Sequence, residues 1–370
     1  MIITTIILFL LILGVIVFVH ELGHFLVAKY HGVKIEEFGI GFPPKIFGIK
    51  KGETEYTLNW IPLGGFVKIV GEDGEDKEDP RSFASKSIGK RFQIISAGVI
   101  MNIVLALVLF SVIFSVGAPM DIEGVDLSRA KSVQDRQIKI AGIVEGSPAS
   151  EAELQVGDSI LTAGGIQINS NDDLYGFTKS NIGQTATFTF QRGDEILSKE
   201  ITLRQEFSEK DGSLGIAPSE TAVVAFPIFD AIMKSFGWVY YLITYILFAF
   251  AGIIWSLLSV GKAGVEVSGP VGIAVMTQQA ASLGLMVVLN FMAIISINLA
   301  IINALPFPAL DGGRLLFLIV EKIKGSPINQ VWEAKANNFG FLLLMGLMVV
   351  VTFQDLLKFD VWGRVVGLFG

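Results

Sequence analysis

The chain has 370 residues, of which 52% are hydrophobic and only 17% charged, with a formal net charge of −7 and a mean hydropathy of +0.61. That balance describes a membrane protein with a sizeable soluble insert rather than an ordinary soluble enzyme, and the acidic excess argues against nucleic acid as a partner. The absence of cysteine excludes disulfides and thiolate ligands, so any bound metal must be held by His, Asp or Glu.

Residues 1–30 are the first predicted transmembrane helix. No charge occurs from Met1 to Val19, and the apolar run over 3–28 is long enough to span roughly 30 Å of hydrocarbon. No basic residue precedes it, so it does not read as a cleaved signal peptide. Near its end stands His20-Glu21-Leu22-Gly23-His24. On a helix His20 and His24 share one face. That spacing lets two imidazoles hold one Zn²⁺, with Glu21 acting on the water that the metal activates. Two imidazoles and a carboxylate are costly inside an apolar span and usually line a functional interior. The alternative is a pair of interfacial histidines on a membrane anchor. Lys29, Lys34, Lys45, Lys50 and Lys51 follow this helix, so its N-terminus is expected outside and the motif towards the cytoplasmic end.

Residues 31–91 are predicted to form a cytoplasmic-side loop carrying a membrane-associated β-hairpin. The alternating stretch 54–58 is expected to pair with 66–70 across Pro62-Leu63-Gly64-Gly65. Trp60, Ile61, Phe66 and Phe38-Gly39-Ile40-Gly41-Phe42 make this sheet apolar. It suits the membrane interface or an extended substrate at its edge, and an ordinary hairpin with an apolar underside fits the periodicity equally. Residues 72–81 read as a charged, mobile loop. The second transmembrane helix is expected over 92–118, with Asn102 as its one strongly polar interior residue, read as helix–helix glue ahead of a site residue.

Residues 119–227 are soluble in character and expected outside. Strands over 138–144, 156–163, 185–191 and 196–203 surround a helix over 172–179. With Gly146-Ser147-Pro148-Ala149, Val156-Gly157-Asp158-Ser159-Ile160 and Ser213-Leu214-Gly215-Ile216, the stretch 137–218 resembles a circularly permuted bacterial PDZ domain. The resemblance implies that Leu214, Gly215 and Ile216 border a groove where a peptide adds to a sheet edge, or that the groove serves only as a steric gate.

Residues 228–282 contain an uncharged, aromatic-rich run over 235–261, expected to lie along the outer leaflet. The third transmembrane helix is placed over 283–313, helical to Ala304, with Asn298 and Asn303 as polar exceptions. Pro306 and Pro308 then open the helix before Asp311-Gly312-Gly313. A basic cytoplasmic loop over 314–338 and a fourth helix with tail over 339–370 complete the chain. The parity of crossings is what leaves 235–261 as a non-crossing segment, for a total of about four spans. A zinc on two histidines needs a third protein ligand and an open position. Asp311 is the leading candidate, because it sits at the inner end of its helix as the histidines do, and the glycines after it are expected to let the backbone turn. Taken alone it reads equally as a turn aspartate.

The first-helix motif, the PDZ-like insert and the run from Asn303 to Gly313 together resemble the site-2 protease family, in the bacterial branch that includes the regulator of sigma-E protease. The stretches 38–42 and 268–273 match it as well, whereas Ala97-Gly98-Val99 stands where the family usually has Ala-Gly-Pro. The resemblance implies an α-helical integral membrane protein of the bacterial cytoplasmic (inner) membrane that cuts substrate transmembrane helices within the lipid bilayer. Its implied substrates are anti-sigma-factor-like proteins trimmed first by an upstream site-1-type protease, or remnant signal peptides. It also implies Zn²⁺ on His20, His24 and Asp311, Glu21 as general base, and Asn303 and Asn298 on the substrate backbone or oxyanion. The hairpin around Gly64, Gly65 and Phe66 would pair with the unwound substrate. The rival reading is a non-catalytic adaptor that recruits extracytoplasmic tails through the PDZ-like domain.

Overall fold

A computed structural model describes residues 2–74, 76–193, 195–207, 212–260 and 268–359. Asp194, expected in a turn, and Gly261, the expected end of the aromatic run, lie outside the described residues. The chain divides into two compact units, residues 1–110 with 234–370, and residues 111–233.

The first unit combines long helices with a two-stranded sheet. Helix α1 covers Ile2–Tyr30 and α2 covers Ile88–Val116. Later come α5 (Ile228–Val260), α6 (Pro270–Ser282), α7 (Leu285–Ala304), α8 (Asp311–Lys324) and α9 (Gln330–Lys358). Among the described residues five helices are long and apolar enough to cross a membrane: Thr4–Tyr30, Ile88–Val116, Ile228–Ser256, Leu285–Ala304 and Gln330–Lys358. They leave Ile6, Leu11, Phe18, Leu342 and Val349 exposed, which is stable only where the surrounding solvent is itself apolar. The third of these candidates, α5, is one continuous helix that begins at Ile228, ahead of the expected run at 235.

Helix α6 was not expected as a separate element. Pro270 occupies its first turn, where the missing N–H costs nothing. The Gly272 N–H donates to Asp355 Oδ2 of α9 at 2.7 Å, so a buried carboxylate meets the helix N-terminus. A Cβ at Gly269 would lie 2.8 Å from Val351 Cγ1; the glycine is what lets α9 approach. Helix α6 then packs Ala280 with Ile12 and Ile16 of α1 and Val288 and Met292 of α7. The expected basic loop over 314–338 is largely helical, with Lys335 inside α9.

Strands β1 (Ile35–Lys51) and β2 (Thr54–Ile69) form the expected small sheet, with different partners. Residues 54–58 and 66–70 do not pair with each other. Residues 35–40 lie between them, pairing with 65–69 on one side and 55–58 on the other, while 47–51 pairs outside 54–58. The turn is at Gly52-Glu53, and the stretch 62–65 continues the strand. The connection between the two expected strands is too long for a tight hairpin, and residues 35–40 supply the missing partner. Among the described residues no strand covers the other side of 65–69. The sheet rests on α1 through Phe38, whose ring meets Phe18 and Phe25 edge-on at 5.7 and 5.3 Å. The segment after it is tied at its ends: Lys34 N donates to Arg81 O at 2.9 Å, Phe83 N to Val70 O at 2.8 Å, and Arg81 pairs with Glu53 at 3.1 Å.

The second unit is a six-strand antiparallel path in the order β3-β9-β4-β5-β7-β8, with β6 pairing β5. The strands are β3 (Ala118–Asp121), β4 (Ser132–Ile143), β5 (Ser159–Ala163), β6 (Ile166–Gln167), β7 (Thr185–Arg192), β8 (Glu195–Thr202) and β9 (Ile216–Ala225). Helix α3 (Pro148–Glu151) starts at Ser147, whose hydroxyl accepts from Ser150 N. Helix α4 (Asn171–Ser180) starts at Ser170 in the same way. Alternating residues of the strands, among them Ile138, Ile140, Ile160, Phe188, Phe190 and Ile201, face one buried core with Leu174 of α4. A groove of about 750 Å³ runs between α4 and the start of β9, with Leu214, Gly215 and Ile216 along one wall.

Candidate metal centre

The centre is built where α1 and α2 touch. A Cβ at Gly23 would meet the backbone carbonyl of Ala97, 2.7 Å from its carbon; without side chains there the helices approach to backbone contact. Gly98, the next residue on α2, leaves open the space before the histidines, since a Cβ would lie 2.8 Å from His20 Nε2. Helix α2 runs unbroken through Val99, whose N–H stays in the helix.

His20 and His24 project together from α1. Their rings meet edge-on at 4.9 Å and their Nε2 atoms lie 3.3 Å apart. His24 Nδ1 donates to the Ile94 carbonyl at 2.9 Å, which leaves Nε2 with a free lone pair. Asp311, the first residue of α8, brings Oδ2 to 3.2 Å from His20 Nε2 and 3.4 Å from His24 Nε2. That oxygen is buried and has no hydrogen bond of proper geometry. Three ligand atoms, one from each residue, all lie within 4.8 Å of one another. An unsatisfied buried oxygen facing two imidazole nitrogens is costly by itself and is resolved by a cation held between them. Two nitrogens and one oxygen suit Zn²⁺ and leave a position for reactants.

The glycines after Asp311 act by close approach, not by turning the chain. Neither has positive φ; that conformation falls on Ala309, at φ 75°. A Cβ on Gly312 would come 2.5 Å from the Ala304 carbonyl carbon, and one on Gly313 2.7 Å from that of Phe307. Their bareness lets α8 start directly against the end of α7.

Glu21 borders the same cavity, of about 170 Å³, whose wall includes Gly65, Phe66 and Val67 of β2. Gly64 borders a second recess that also touches Glu21. The asparagines of α7 stand apart from this cavity: Asn298 Nδ2 donates to the Ile294 carbonyl of its own helix at 2.9 Å, and Asn303 is half-buried. Leu214, Gly215 and Ile216 border the groove of the second unit. Two residues escaped sequence reasoning. Glu72 and Arg314 also border the metal cavity and form an ion pair. Burial opposes charge on the Arg314 guanidinium, but the Glu72 carboxylate beside it outweighs burial and pushes its pKa up. Asn102, read from sequence as helix glue ahead of a site residue, sits at His20. In sequence Glu72 reads as part of a charged, mobile loop and Arg314 as a topology charge, and nothing in their spacing marks them as partners.

The sequence model described as Peptidase family M50 matches residues 8–347. A provisionally named zinc metalloprotease of Clostridium perfringens is 36% identical over 350 residues, covering 94% of this chain and 97% of its own. The regulator of sigma-W protease RasP of Bacillus subtilis is 31% identical over 441 aligned positions, covering 96% and 99%. Among solved structures, a PDZ domain of an SdrC-like protein from Listeria monocytogenes aligns to 24% of this chain and 92% of its own, at 22% identity and a TM-score of 0.21.

Proposed function

The chain belongs to peptidase family M50 and is a zinc metalloprotease of the site-2 type; from that premise we propose that it cuts transmembrane segments of substrate proteins inside the bilayer of a bacterial cytoplasmic membrane. In this reading His20, His24 and Asp311 hold the zinc and Glu21 is the general base. The observation that carries it is the convergence of three donor atoms within 4.8 Å beside a carboxylate, all borne by or adjoining apolar helices. A zinc held by these residues would supply Lewis acidity, polarising the scissile carbonyl and lowering the pKa of a water there towards about 7. Glu21 takes the water's proton and returns it to the leaving amine.

A helical substrate hides its carbonyls in internal hydrogen bonds, so it must unwind before it can react. The free edge of 65–69, which borders the metal cavity at Gly65 and Phe66, is suited to pair with the unwound stretch. The B. subtilis relative is named for sigma-W regulation, which supports anti-sigma-factor-like substrates, trimmed beforehand by a site-1-type protease; remnant signal peptides have the same chemistry. The insert is read as a PDZ-like filter for substrate tails, outside the membrane. Basic residues over 29–91 put that stretch on the inner side, and parity then makes α5 an outer interfacial helix and the crossing helices four. Its Trp238, Tyr240, Tyr241 and Tyr245 are exposed and suit headgroup depth.

The test is Glu21→Gln in the full chain with a model transmembrane substrate. Cleavage should vanish while zinc content stays that of the wild type, because glutamine keeps the shape and cannot accept the proton. Near-wild-type cleavage would remove Glu21 from the role.

A further inference from the structure

Asn102 is fully buried inside α2. Its Nδ2 lies 3.3 Å from His20 Nδ1, and its Oδ1 is buried with no hydrogen-bond partner. The other ring nitrogen, His20 Nε2, is the one turned towards His24 Nε2 and Asp311 Oδ2. A neutral imidazole that offers Nε2 to a metal carries its proton on Nδ1, and that N–H requires an acceptor. The two ends of an amide have the same shape, so the partner decides which end faces it. With the NH₂ end towards Nδ1, the ring proton must sit on Nε2, where it blocks ligation, and Oδ1 is left without a donor. With the amide turned over, Oδ1 moves from a place with no donor to one facing an N–H.

We propose that Asn102 is a positioning residue whose amide oxygen accepts the Nδ1 proton of His20 and so presents Nε2 to zinc. The Ile94 carbonyl does the same for His24 at 2.9 Å, and both props come from α2. Ser296 of α7, itself fully buried, donates its hydroxyl to the backbone carbonyl of Asn102 at 2.8 Å. The tie between α2 and α7 therefore runs through the Asn102 backbone and leaves the amide for the ring. This assignment rests on His20 being a zinc ligand.

The experiment measures zinc affinity by chelator competition on the purified full chain, for His20→Ala, Asn102→Leu, Asn102→Asp and Ser296→Ala. Leucine matches asparagine in shape but accepts nothing, so affinity should fall about 10–100-fold, the usual cost of losing the partner that orients a ligand. Aspartate accepts from Nδ1–H and should stay within a few-fold of wild type, and Ser296→Ala, which spares the amide, should bind zinc as the wild type does. Unchanged affinity in Asn102→Leu, with zinc lost in His20→Ala, overturns the proposal alone; full zinc binding by His20→Ala overturns the ligand set and the proposal with it. A fall in Asn102→Asp as deep as in Asn102→Leu also overturns it. A readout that needs no variant to fold is ¹⁵N NMR of histidine-labelled, zinc-loaded wild type. His20 should bind zinc through Nε2 with a hydrogen-bonded Nδ1–H, and ligation through Nδ1 contradicts the assignment.

Discussion

Asp158 of the inserted domain and Asp311 of the helical unit each turn a buried carboxylate oxygen towards nitrogen groups, and the chain treats them in opposite ways. Asp158, 1% exposed in its side chain, is fully engaged. Arg192 donates Nε to one oxygen at 2.8 Å and Nη2 to the other at 2.7 Å, and Gln155 N donates at 2.8 Å. Asp311 has Oδ2 buried without a hydrogen bond, faced by two nitrogens that offer lone pairs when neutral. The first arrangement is complete in the protein alone and holds strands together. The second is complete only with a cation, and its cost persists because a site requires it.

The largest expected effect breaks the second arrangement. Asp311→Asn should lower zinc affinity by more than the roughly 10–100-fold typical of a residue that only orients a ligand, while helix content is unchanged, because the carboxylate supports no hydrogen bond of the fold. Chelator competition and far-ultraviolet circular dichroism measure the two halves. Wild-type zinc affinity in this variant would remove Asp311 from the ligand set. Gly98→Ala comes next. Alanine is ordinarily favoured over glycine within a helix by about 1 kcal/mol, yet here its methyl would lie 2.7 Å from His20 Cε1. The rings are held from behind at Nδ1 and have little room to give. Overpacking of this kind costs about 1–3 kcal/mol, so zinc affinity should drop on the order of tenfold or more. An unchanged or raised affinity would show that the rings can shift.

Much of this contrast is legible in the order of the amino acids. His20 and His24 at helical spacing, with Glu21 between them, point to a metal site ahead of a pair of interfacial histidines, and Asp311 becomes the leading third-ligand candidate from its place at the inner end of its helix. The strands of the insert appear in their expected order because each has turn residues at both ends, such as Gly164-Gly165 before β6 and Gly215, at φ 80°, before β9. What escapes is whatever depends on packing between distant segments. The period-two pattern at 54–58 and 66–70 announces strands but not partners, and residues 35–40 lie between them. Asn102 reads as generic helix glue, since only the assembled helices reveal that its amide meets His20 and its carbonyl meets Ser296. The bareness of Gly312 and Gly313 is misread for a similar reason: a doublet before a helix suggests a turn, and the cause is contact with the end of α7.

The first arrangement breaks differently. Asp158→Asn should leave zinc binding untouched and destabilise the insert by about 1–3 kcal/mol. That is below the roughly 3–5 kcal/mol for breaking a wholly buried pair, because Arg192 is 31% exposed and can recover water. Burial pushes the Asp158 carboxyl up, but the Arg192 hydrogen bonds and the Gln155 N–H outweigh burial and hold it below the ordinary aspartate value. A depressed folded pKa stabilises above the unfolded value of about 3.9 and loses that stabilisation as pH falls through the folded one. Hydrogen exchange at β5 and β7, corrected for intrinsic rates, should show wild type and variant apart at neutral pH and converging below about pH 4. A constant gap at all pH values would mean that the charge of Asp158 contributes nothing.

The smallest expected effect tests how finely the insert's stability is divided. Ser170 is the N-cap of α4, with extended backbone at φ −144° and ψ 162°, and its hydroxyl accepts from Asp173 N at 3.1 Å. Asp173 Oδ2 accepts in return from Asn169 N at 3.0 Å, a reciprocal closure of the helix start. Ser170→Ala removes one half of it and should cost about 1 kcal/mol. The carboxylates of Asp172 and Asp173 remain in the first turn, where they still oppose the helix dipole, so the helix should persist. Helix α4 forms one wall of the groove opposite Leu214 and Ile216, yet it pairs with no strand. The loss should therefore appear as about fivefold faster hydrogen exchange in α4, with the β4 and β9 amides unchanged and zinc affinity equal to wild type. Equal acceleration across α4 and β9 would mean that the groove wall and the sheet open as one unit, and that the insert is as tightly coupled as the metal centre is.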